Sequence, residues 1–440
     1  MRIGLRREDK SPYEARVPLV PDDVRLLRRE ERLAVLVESS PQRIIDDAHF
    51  AEAGAVVVPD LRECPIIFGV KEVPVEKLEP NKTYVFFAHV IKGQPYNMPM
   101  LRRLMELGCQ LIDYERITDD EGRRLVFFGR HAGLAGMIDA LWMLGERWRQ
   151  RGVDTPLRHI RQARHFDCLE QARGVITDVA DEIRAHGLPA AVSPAIIGVT
   201  GYGNVARGVQ EILDLLPLED IHPEEVHAVA RRTDEKRRKL YRVVFEERHM
   251  YEPVDRSASF DLQDYYDHPE RYRSTFLEYW PHLTAVVNCI YWEAGYPRLM
   301  TKADLKRLYS GPDRLPLEVI ADISCDVGGS VECNVRATDP RNPVYVYDPA
   351  RDTAVDGLVG DGPAVLAVDI LPAELPADAS REFSRILTPF VPAIARADFT
   401  VPFDECALPP EIRRATIVYQ GRLTSDYAYL EDALASHPVS

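Results

Sequence analysis

The 440-residue chain has no CxxC pair; its seven cysteines stand singly at positions 64, 109, 168, 289, 325, 333 and 406. That spacing argues against a zinc knuckle or a disulfide framework and fits reduced thiols in a chain without a structural metal. Positive charge is also short. Lys and Arg number 55 against 70 Asp and Glu, a net charge of −15, and a field of that sign repels phosphate backbones and anionic membrane surfaces. Neither nucleic acid nor a membrane is an expected partner. No uninterrupted apolar run is long enough to span a bilayer, and the start Met1-Arg2-Ile3-Gly4-Leu5-Arg6-Arg7 turns polar before a signal peptide's apolar core could form. A cytoplasmic protein is the expectation. Internal repeats and a proline-rich linker are missing too, since the 33 prolines are spread along the chain. What is present is 45% hydrophobic residues, enough to fill the cores of two or three ordinary domains.

Short apolar runs alternate with helical stretches over the first 130 residues, predicting strands at 2–5, 33–37, 55–58, 66–70, 84–88, 109–113 and 125–128, and helices such as 98–107. Such alternation argues a parallel α/β sheet. From 132 to 149, Met137, Leu141, Leu144 and Trp148 recur at helical spacing after a Gly/Ala-rich stretch at 131–136. This reads as a long helix leaving the first domain, with a hinge turn at its start. A second α/β unit begins at Ala195, while apolar runs at 343–347 and 364–369 suit either unit, and a last helix starts near Asp426. The expected fold is α/β, two Rossmann-like domains with parallel sheets separated by an active-site cleft. Residues 1–140, completed by part of 340–440, form the substrate domain, 141–189 connecting helices and 190–335 the dinucleotide-binding domain.

The run Ala195-Ile196-Ile197-Gly198-Val199-Thr200-Gly201-Tyr202-Gly203-Asn204-Val205-Ala206 is an apolar strand entering a GxGxxA turn, followed by an amphipathic helix. Gly201 permits the tight turn, Gly203 lets backbone approach a pyrophosphate, and Ala206 lets helix pack on strand. The bland alternative is a structural glycine turn. A next strand at 225–230 ends in Arg231 and Arg232, whose guanidinium groups could hold a 2′-phosphate, which favours NADPH. NADH stays open, because Asp234 lies close enough to meet a ribose instead. Later strands end at Asn288, Ile290 and Tyr291, and at Asp322 and Ser324; ligands sit beyond the carboxyl ends of such strands, so these loops are expected beside the nicotinamide.

The first domain carries cations at loop positions, among them Lys10, Arg16, Lys71, Lys92 and Arg124. Lys71 follows one strand and His89 another, so the two can approach across a cleft where burial makes the amine a general base. Each also has a plain reading, an exposed lysine in a turn and a histidine satisfied by backbone.

One family matches these stretches in order: Leu5-Arg6-Arg7-Glu8, Tyr13-Glu14-Ala15-Arg16-Val17-Pro18-Leu19, Gly69-Val70-Lys71-Glu72, Phe86-Phe87-Ala88-His89-Val90-Ile91-Lys92, Leu111-Ile112-Asp113-Tyr114-Glu115 and Phe128-Gly129-Arg130-His131. The second domain adds Thr200-Gly201-Tyr202-Gly203-Asn204-Val205, Asp267-His268-Pro269-Glu270-Arg271-Tyr272, Asn288-Cys289-Ile290-Tyr291-Trp292, Asp322-Ile323-Ser324 and Asp369-Ile370-Leu371-Pro372. The chain resembles the saccharopine-type reductases, most closely the lysine–2-oxoglutarate reductase half of aminoadipic semialdehyde synthases, within the alanine dehydrogenase superfamily. Fungal lysine-forming saccharopine dehydrogenases share the first-domain motifs but lack the 267–272 segment.

The resemblance implies NADPH-dependent condensation of L-lysine with 2-oxoglutarate to saccharopine, the first step of lysine degradation. It implies that Lys71 and His89 are the acid–base pair, and that Arg16 and Arg124 meet substrate carboxylates. Lys10, Glu14, Glu72, Lys92 and Glu115 would complete the pocket. Gly201, Tyr202, Gly203, Asn204, Val205, Asn288, Ile290, Tyr291, Asp322 and Ser324 would meet the coenzyme. A separate glutamate-forming saccharopine dehydrogenase is an expected partner, and homo-oligomerisation stays open. Two other readings remain: an opine-type or amino-acid dehydrogenase with another amine and keto acid, and a catalytically silent NADPH-binding sensor.

Overall fold

Apolar runs bounded by turn residues become the strands of the protein, whose computed structural model describes residues 1–234, 238–311 and 315–436. In chain order these are β1 (Arg2–Leu5), β2 (Ala34–Glu38), β3 (Val56–Val58), β4 (Ile66–Phe68), β5 (Thr83–Phe86) and β6 (Gln110–Asp113). Next come β7 (Ala195–Thr200), β8 (Leu218–Asp220), β9 (Leu240–Phe245), β10 (Tyr251–Pro253), β11 (Tyr272–Ser274), β12 (Ala285–Asn288) and β13 (Val319–Asp322). The described chain then adds β14 (Val344–Asp348), β15 (Thr353–Asp356), β16 (Ala364–Leu366), β17 (Thr416–Tyr419) and β18 (Arg422–Leu423). By internal contacts the chain divides into a first unit, Met1–Phe128 plus the described chain from Pro376 onward, and a second unit, Gly129–Leu375.

The first unit holds an eight-stranded sheet in the order β18-β17-β6-β5-β4-β1-β2-β3. Strands β1 to β6 are parallel, and β17 and β18 add an antiparallel edge. Every residue of β4, β5 and β6 is buried, the pattern of a parallel sheet covered on both faces. The chain runs outward one way through β2 and β3 and the other way through β4, β5 and β6. The order therefore reverses between β1 and β4, the place where open α/β sheets bind ligands.

The second unit repeats that logic in the order β15-β14-β16-β13-β12-β7-β9-β8, with β14 and β15 antiparallel at the edge and the rest parallel. Its reversal lies between β7 and β12. After β7 and the helix Asn204–Leu213, the chain first visits the edge strand β8 and only then returns to place β9 beside β7.

Several expectations need correcting. Residues 225–230 are no strand but the end of a 3-10 turn and the helix Val226–Ala230; their strand place is taken by β9. Residues 125–128 form no strand either. They leave a tight loop in which Leu125 donates its N–H to the Ile117 carbonyl at 2.9 Å. The stretch 131–136 is not a turn, because it lies inside the helix Gly129–Gln150. Gly133 serves packing: a methyl on it would come within 2.0 Å of the Val205 carbonyl oxygen, just as one on Gly208, in the facing helix Asn204–Leu213, would come within 2.0 Å of that of Arg130. Residues 141–189 pack in the second unit's core, where Leu144, Trp148, Ile176 and Ile183 join Ile197 and Val287. The runs at 343–347 and 364–369 enter the second sheet as β14 and β16, so of the expected 340–440 contribution only the chain from Pro376 joins the first unit.

Within the second unit Asp139 and Glu374 are buried against each other, with Asp139 Oδ1 accepting from the Ala163 N–H at 2.7 Å and Glu374 Oε2 from the Arg164 N–H at 3.2 Å. Burial pushes the Asp139 carboxyl up to about 7, and burial together with the neighbouring Asp139 pushes Glu374 well above the carboxylate range. A folded pKa above the unfolded one stabilises below the unfolded value, and that stability is lost as pH rises toward the folded value. Asp139→Asn should flatten the fall in thermal midpoint between about pH 4 and 7 that the native chain shows. Parallel midpoint curves for the two proteins would contradict this.

Candidate functional site

In the first unit the carboxyl ends of β1, β4, β5 and β6 lie side by side, and each is followed at once by ionisable residues. Past β1 comes Glu8, past β4 Lys71 and Glu72, past β5 His89, and past β6 Glu115, with Asp113 closing that strand. Buried Glu8 accepts the N–H groups of Val70 at 2.8 Å and Lys71 at 2.9 Å, one on each carboxylate oxygen. This clamp fixes the backbone that carries the Lys71 amine across the reversal point of the sheet.

Around that amine the charges are paired, and Glu14, Arg16 and Glu72 are buried. Arg16 donates Nε to Glu14 Oε1 at 2.8 Å and Nη2 to Glu14 Oε2 at 2.5 Å, and its guanidinium lies 4.2 Å from the centre of the Phe128 ring. The aromatic floor continues through Phe383, stacked on Phe128 at 4.4 Å, and Phe87. Glu72 Oε1 receives Lys10 Nζ at 2.5 Å and faces His89 Nδ1 at 2.8 Å. His89 sits at φ 49°, a conformation costly for a side chain, and Asn97 holds it by donating to the carbonyls of Ala88 at 3.1 Å and His89 at 2.9 Å. Arg124 donates to Glu115, and Lys92 lies exposed in the turn after His89.

The electrostatics separate the groups by role. Burial, then the Arg16 cation, pulls the Lys71 amine below its ordinary range, against the pull of Glu72 and Glu14. Burial opposes ionisation of Glu72, yet the hydrogen bonds and charges of His89 and Lys10 overcome it and hold the carboxyl at about 2. Glu72 therefore stays an anion. Glu8 and Asp113 go the other way, burial pushing each up to about 7. Neither stood among the expected site residues. Their signal was position: an acid at or just past the carboxyl end of a buried strand, the criterion that picked out Lys71 and His89.

In the second unit Gly201 turns at φ 85°, and its N–H is received by the Phe245 carbonyl at 2.9 Å, so the end of β9 abuts the glycine turn. An added methyl on Gly203 would meet nothing within 4 Å. That open space, beside the uncapped start of the helix Asn204–Leu213 with Asn204 and Val205 in its first turn, fits a pyrophosphate. A cavity of about 350 Å³ next to it is lined by Gly201, Tyr202, Gly203, Glu247, Tyr266, Ile290 and Tyr291, among others. The residues present fit a dinucleotide.

Asn288 and Asp322 are buried beneath this site with their polar atoms engaged. Asn288 accepts from Thr200 Oγ1 at 2.8 Å and donates to Asp322 at 2.8 Å and Ser330 at 2.9 Å, while Asn334 donates to the other Asp322 oxygen at 2.8 Å. They brace the ends of β7, β12 and β13, and Ser324 ties on by donating to the Ile290 carbonyl. Arg231 and Arg232 are misplaced by the sequence reading. Arg232 donates to the Tyr241 hydroxyl at 2.8 Å, near the start of β9, and Arg231 lines a cavity with Pro194, Thr284 and Glu318, at or next to the starts of β7, β12 and β13. Both lie at the amino ends of the strands, opposite the glycine turn. The spacing rule failed because β8 and the helix after it stand between the glycines and β9.

Residues 4–135 match the family described as the N-terminal domain of alanine dehydrogenase/PNT, and residues 293–426 match its C-terminal domain. The chain is 36% identical over 99% of its length to the alpha-aminoadipic semialdehyde synthase of Arabidopsis thaliana, covering 42% of that protein. It is 35% identical over 98% of its length to the mitochondrial alpha-aminoadipic semialdehyde synthase of Mus musculus, covering 47% of it. The chain thus spans about half the length of these relatives. A saccharopine dehydrogenase (NAD+, L-lysine-forming) of Emericella nidulans is 28% identical over 88% of this chain and 90% of its own. Among solved structures an L-alanine dehydrogenase shares the fold at TM-score 0.63 and 16% identity, each chain covered completely. Among the described residues no helix is long and apolar enough to cross a membrane.

Proposed function

Since the chain belongs to the superfamily of alanine dehydrogenases and saccharopine-type reductases, we propose that it is a nicotinamide-dependent oxidoreductase acting on CH–NH bonds, joining L-lysine and 2-oxoglutarate into saccharopine. The observation that carries this reading is the acid–base cluster gathered at the reversal point of the first sheet, with Lys71 and His89 both in it. A silent coenzyme sensor has no use for a buried amine gathered with an anion and an imidazole at this point of the sheet.

Neutral Lys71 takes the proton that the ε-ammonium of the substrate lysine must lose to become a nucleophile. Attack on the keto carbon gives a carbinolamine. Glu72 faces His89 Nδ1, which therefore carries the ring proton and leaves Nε2 to exchange protons as the hydroxyl departs as water. Glu14 occupies Nε and Nη2 of Arg16, so that guanidinium offers its Nη1 side to a substrate carboxylate, and Arg124 offers a second anchor. The nicotinamide, when bound, supplies the hydride that reduces the resulting iminium. The expected NADPH preference has lost its residues, because Arg231 and Arg232 lie at the wrong ends of the strands.

A panel of amines and keto acids, followed at the nicotinamide absorbance, tests the reading. Oxidation with lysine plus 2-oxoglutarate and with no other pair is the expected result; oxidation with a different pair transfers the chemistry to another substrate. Lys10 provides a finer check. Its charge adds to the burial and the Arg16 cation that depress Lys71, so Lys10→Met should let the Lys71 pKa rise. Activity that grows as Lys71 loses its proton should then need a higher pH, the kcat/KM limb moving up by about 0.2–0.7 unit, the scale of one exposed charge. A limb that stays or moves down would contradict the role given to Lys71.

A further inference from the structure

Strands β5 and β6 lie side by side with Phe86 opposite Asp113, so the last residue of β6 stands beside the chain that leaves β5 toward His89. Asp113 is wholly buried there. Its Oδ1 accepts the Glu115 N–H at 2.9 Å, and the Ala88 N–H bonds the same carboxyl from the loop after β5. One acid therefore ties the loop that carries His89 to the loop that carries Glu115. Its other oxygen, Oδ2, is buried without a hydrogen-bond partner, which costs stability rather than adding it.

The His89 loop is held from a second side by Asn97, buried at the entrance to the helix Met98–Glu106, whose Nδ2 donates to the carbonyls of Ala88 and His89. Ala88 is thus fixed at both its N–H and its carbonyl, directly before the φ of 49° at His89. Such a conformation persists only where its surroundings over-determine it. The imidazole then lies on the Phe87 ring, stacked at 6.1 Å between centres, with Nδ1 turned to Glu72. Glu8 stands to Lys71 as Asp113 stands to His89. Each is a buried acid at or just past the end of the adjacent strand, and each receives the N–H of the residue before the acid–base group, Val70 in one case and Ala88 in the other.

We propose that Asp113 is the positioning residue of His89: by receiving the Ala88 N–H it holds the imidazole in the orientation that keeps Nδ1 on Glu72 and leaves Nε2 for the substrate. This rests on the acid–base reading of the first unit and adds to it a residue that acts only through another. A displacement of about 1 Å at a reacting group is enough to cost about 100-fold in rate, so a backbone anchor one residue away from His89 carries a large effect.

Histidine ¹⁵N spectra of the full chain, together with turnover, test it. In alkaline buffer the native protein should show one imidazole, absent in His89→Gln, as the pure Nδ1–H form. In Asp113→Ala that ring should swing free of Glu72 and give the averaged shifts of a solvent-exposed histidine, while kcat falls about 100-fold. Asp113→Asn, which keeps an oxygen for the N–H, should restore the Nδ1–H signal and most of the turnover. If the alanine variant does not fold, Asp113→Ser takes its place with the same expected loss, since its hydroxyl still caps the local turn at Glu115 but falls short of Ala88. An unchanged His89 signal or unchanged turnover in the short variant, or an Asp113→Asn protein as impaired as it, overturns the proposal. Native protein that does not join lysine to 2-oxoglutarate overturns the proposed reaction instead, and the His89 spectra alone then decide the role of Asp113.

Discussion

Lys71→Met should lower turnover of lysine and 2-oxoglutarate by about 10²- to 10⁴-fold, the range for a positioned acid–base group. Methionine matches the lysine stem in length and removes the amine alone. The backbone at this position is held by Glu8 through the N–H groups of Val70 and Lys71, contacts that do not involve the side chain. The variant should therefore melt where the native protein melts and bind the nicotinamide coenzyme as before. Loss of turnover with both of those preserved assigns the effect to proton transfer. A variant that keeps full activity removes Lys71 from the chemistry; one that unfolds is replaced by Lys71→Arg, which keeps a long polar side chain but stays protonated and so cannot accept a proton.

The second large effect concerns the helix that presents the glycine turn. Helices Gly129–Gln150 and Asn204–Leu213 approach so closely that each sets a glycine against the other's backbone, Gly133 below Val205 and Gly208 below Arg130. In Gly208→Ala the new methyl would stand 2.0 Å from the Arg130 carbonyl oxygen and 2.9 Å from the Leu134 nitrogen. Backbone on both sides cannot swing away as a flexible side chain would. The helices must part, at a cost of about 3 kcal/mol, the upper range for overpacking. For a unit of this size that lowers the thermal midpoint by roughly 6–12 °C. Gly203→Ala makes the contrast, since its methyl points into open space. It should leave the midpoint unchanged and abolish coenzyme binding by filling the place of the pyrophosphate. A Gly208→Ala protein as stable as the native chain would mean that the helices are not locked by these contacts.

The two-unit α/β architecture was legible because buried parallel strands announce themselves as apolar runs. Strand β1 falls where the pattern puts it, and β2 to β6, β7, β12 and β13 within a few residues. The first-unit cluster was legible for the same reason, because a strand's end in the sequence is also its end in space. What misled was distance along the chain. The ribose position was sought at a fixed spacing from the glycines, and the detour through β8 carried the true strand about fifteen residues further on. The glycines at 133 and 136 looked like a turn, since sequence alone does not separate a glycine that bends a chain from one that admits a neighbouring helix. Glu8 escaped notice because its work is done on backbone N–H groups, and such partners appear only when β1 and β4 are seen side by side.

The central claim is that the first sheet makes Lys71 a proton acceptor, and the titration of its own amine tests that most directly. With lysine Nζ labelled by ¹⁵N, the native protein should show one resonance, absent in Lys71→Met, that loses its proton at a pH below the other lysines. A Lys71 resonance that titrates together with the surface lysines would contradict the account.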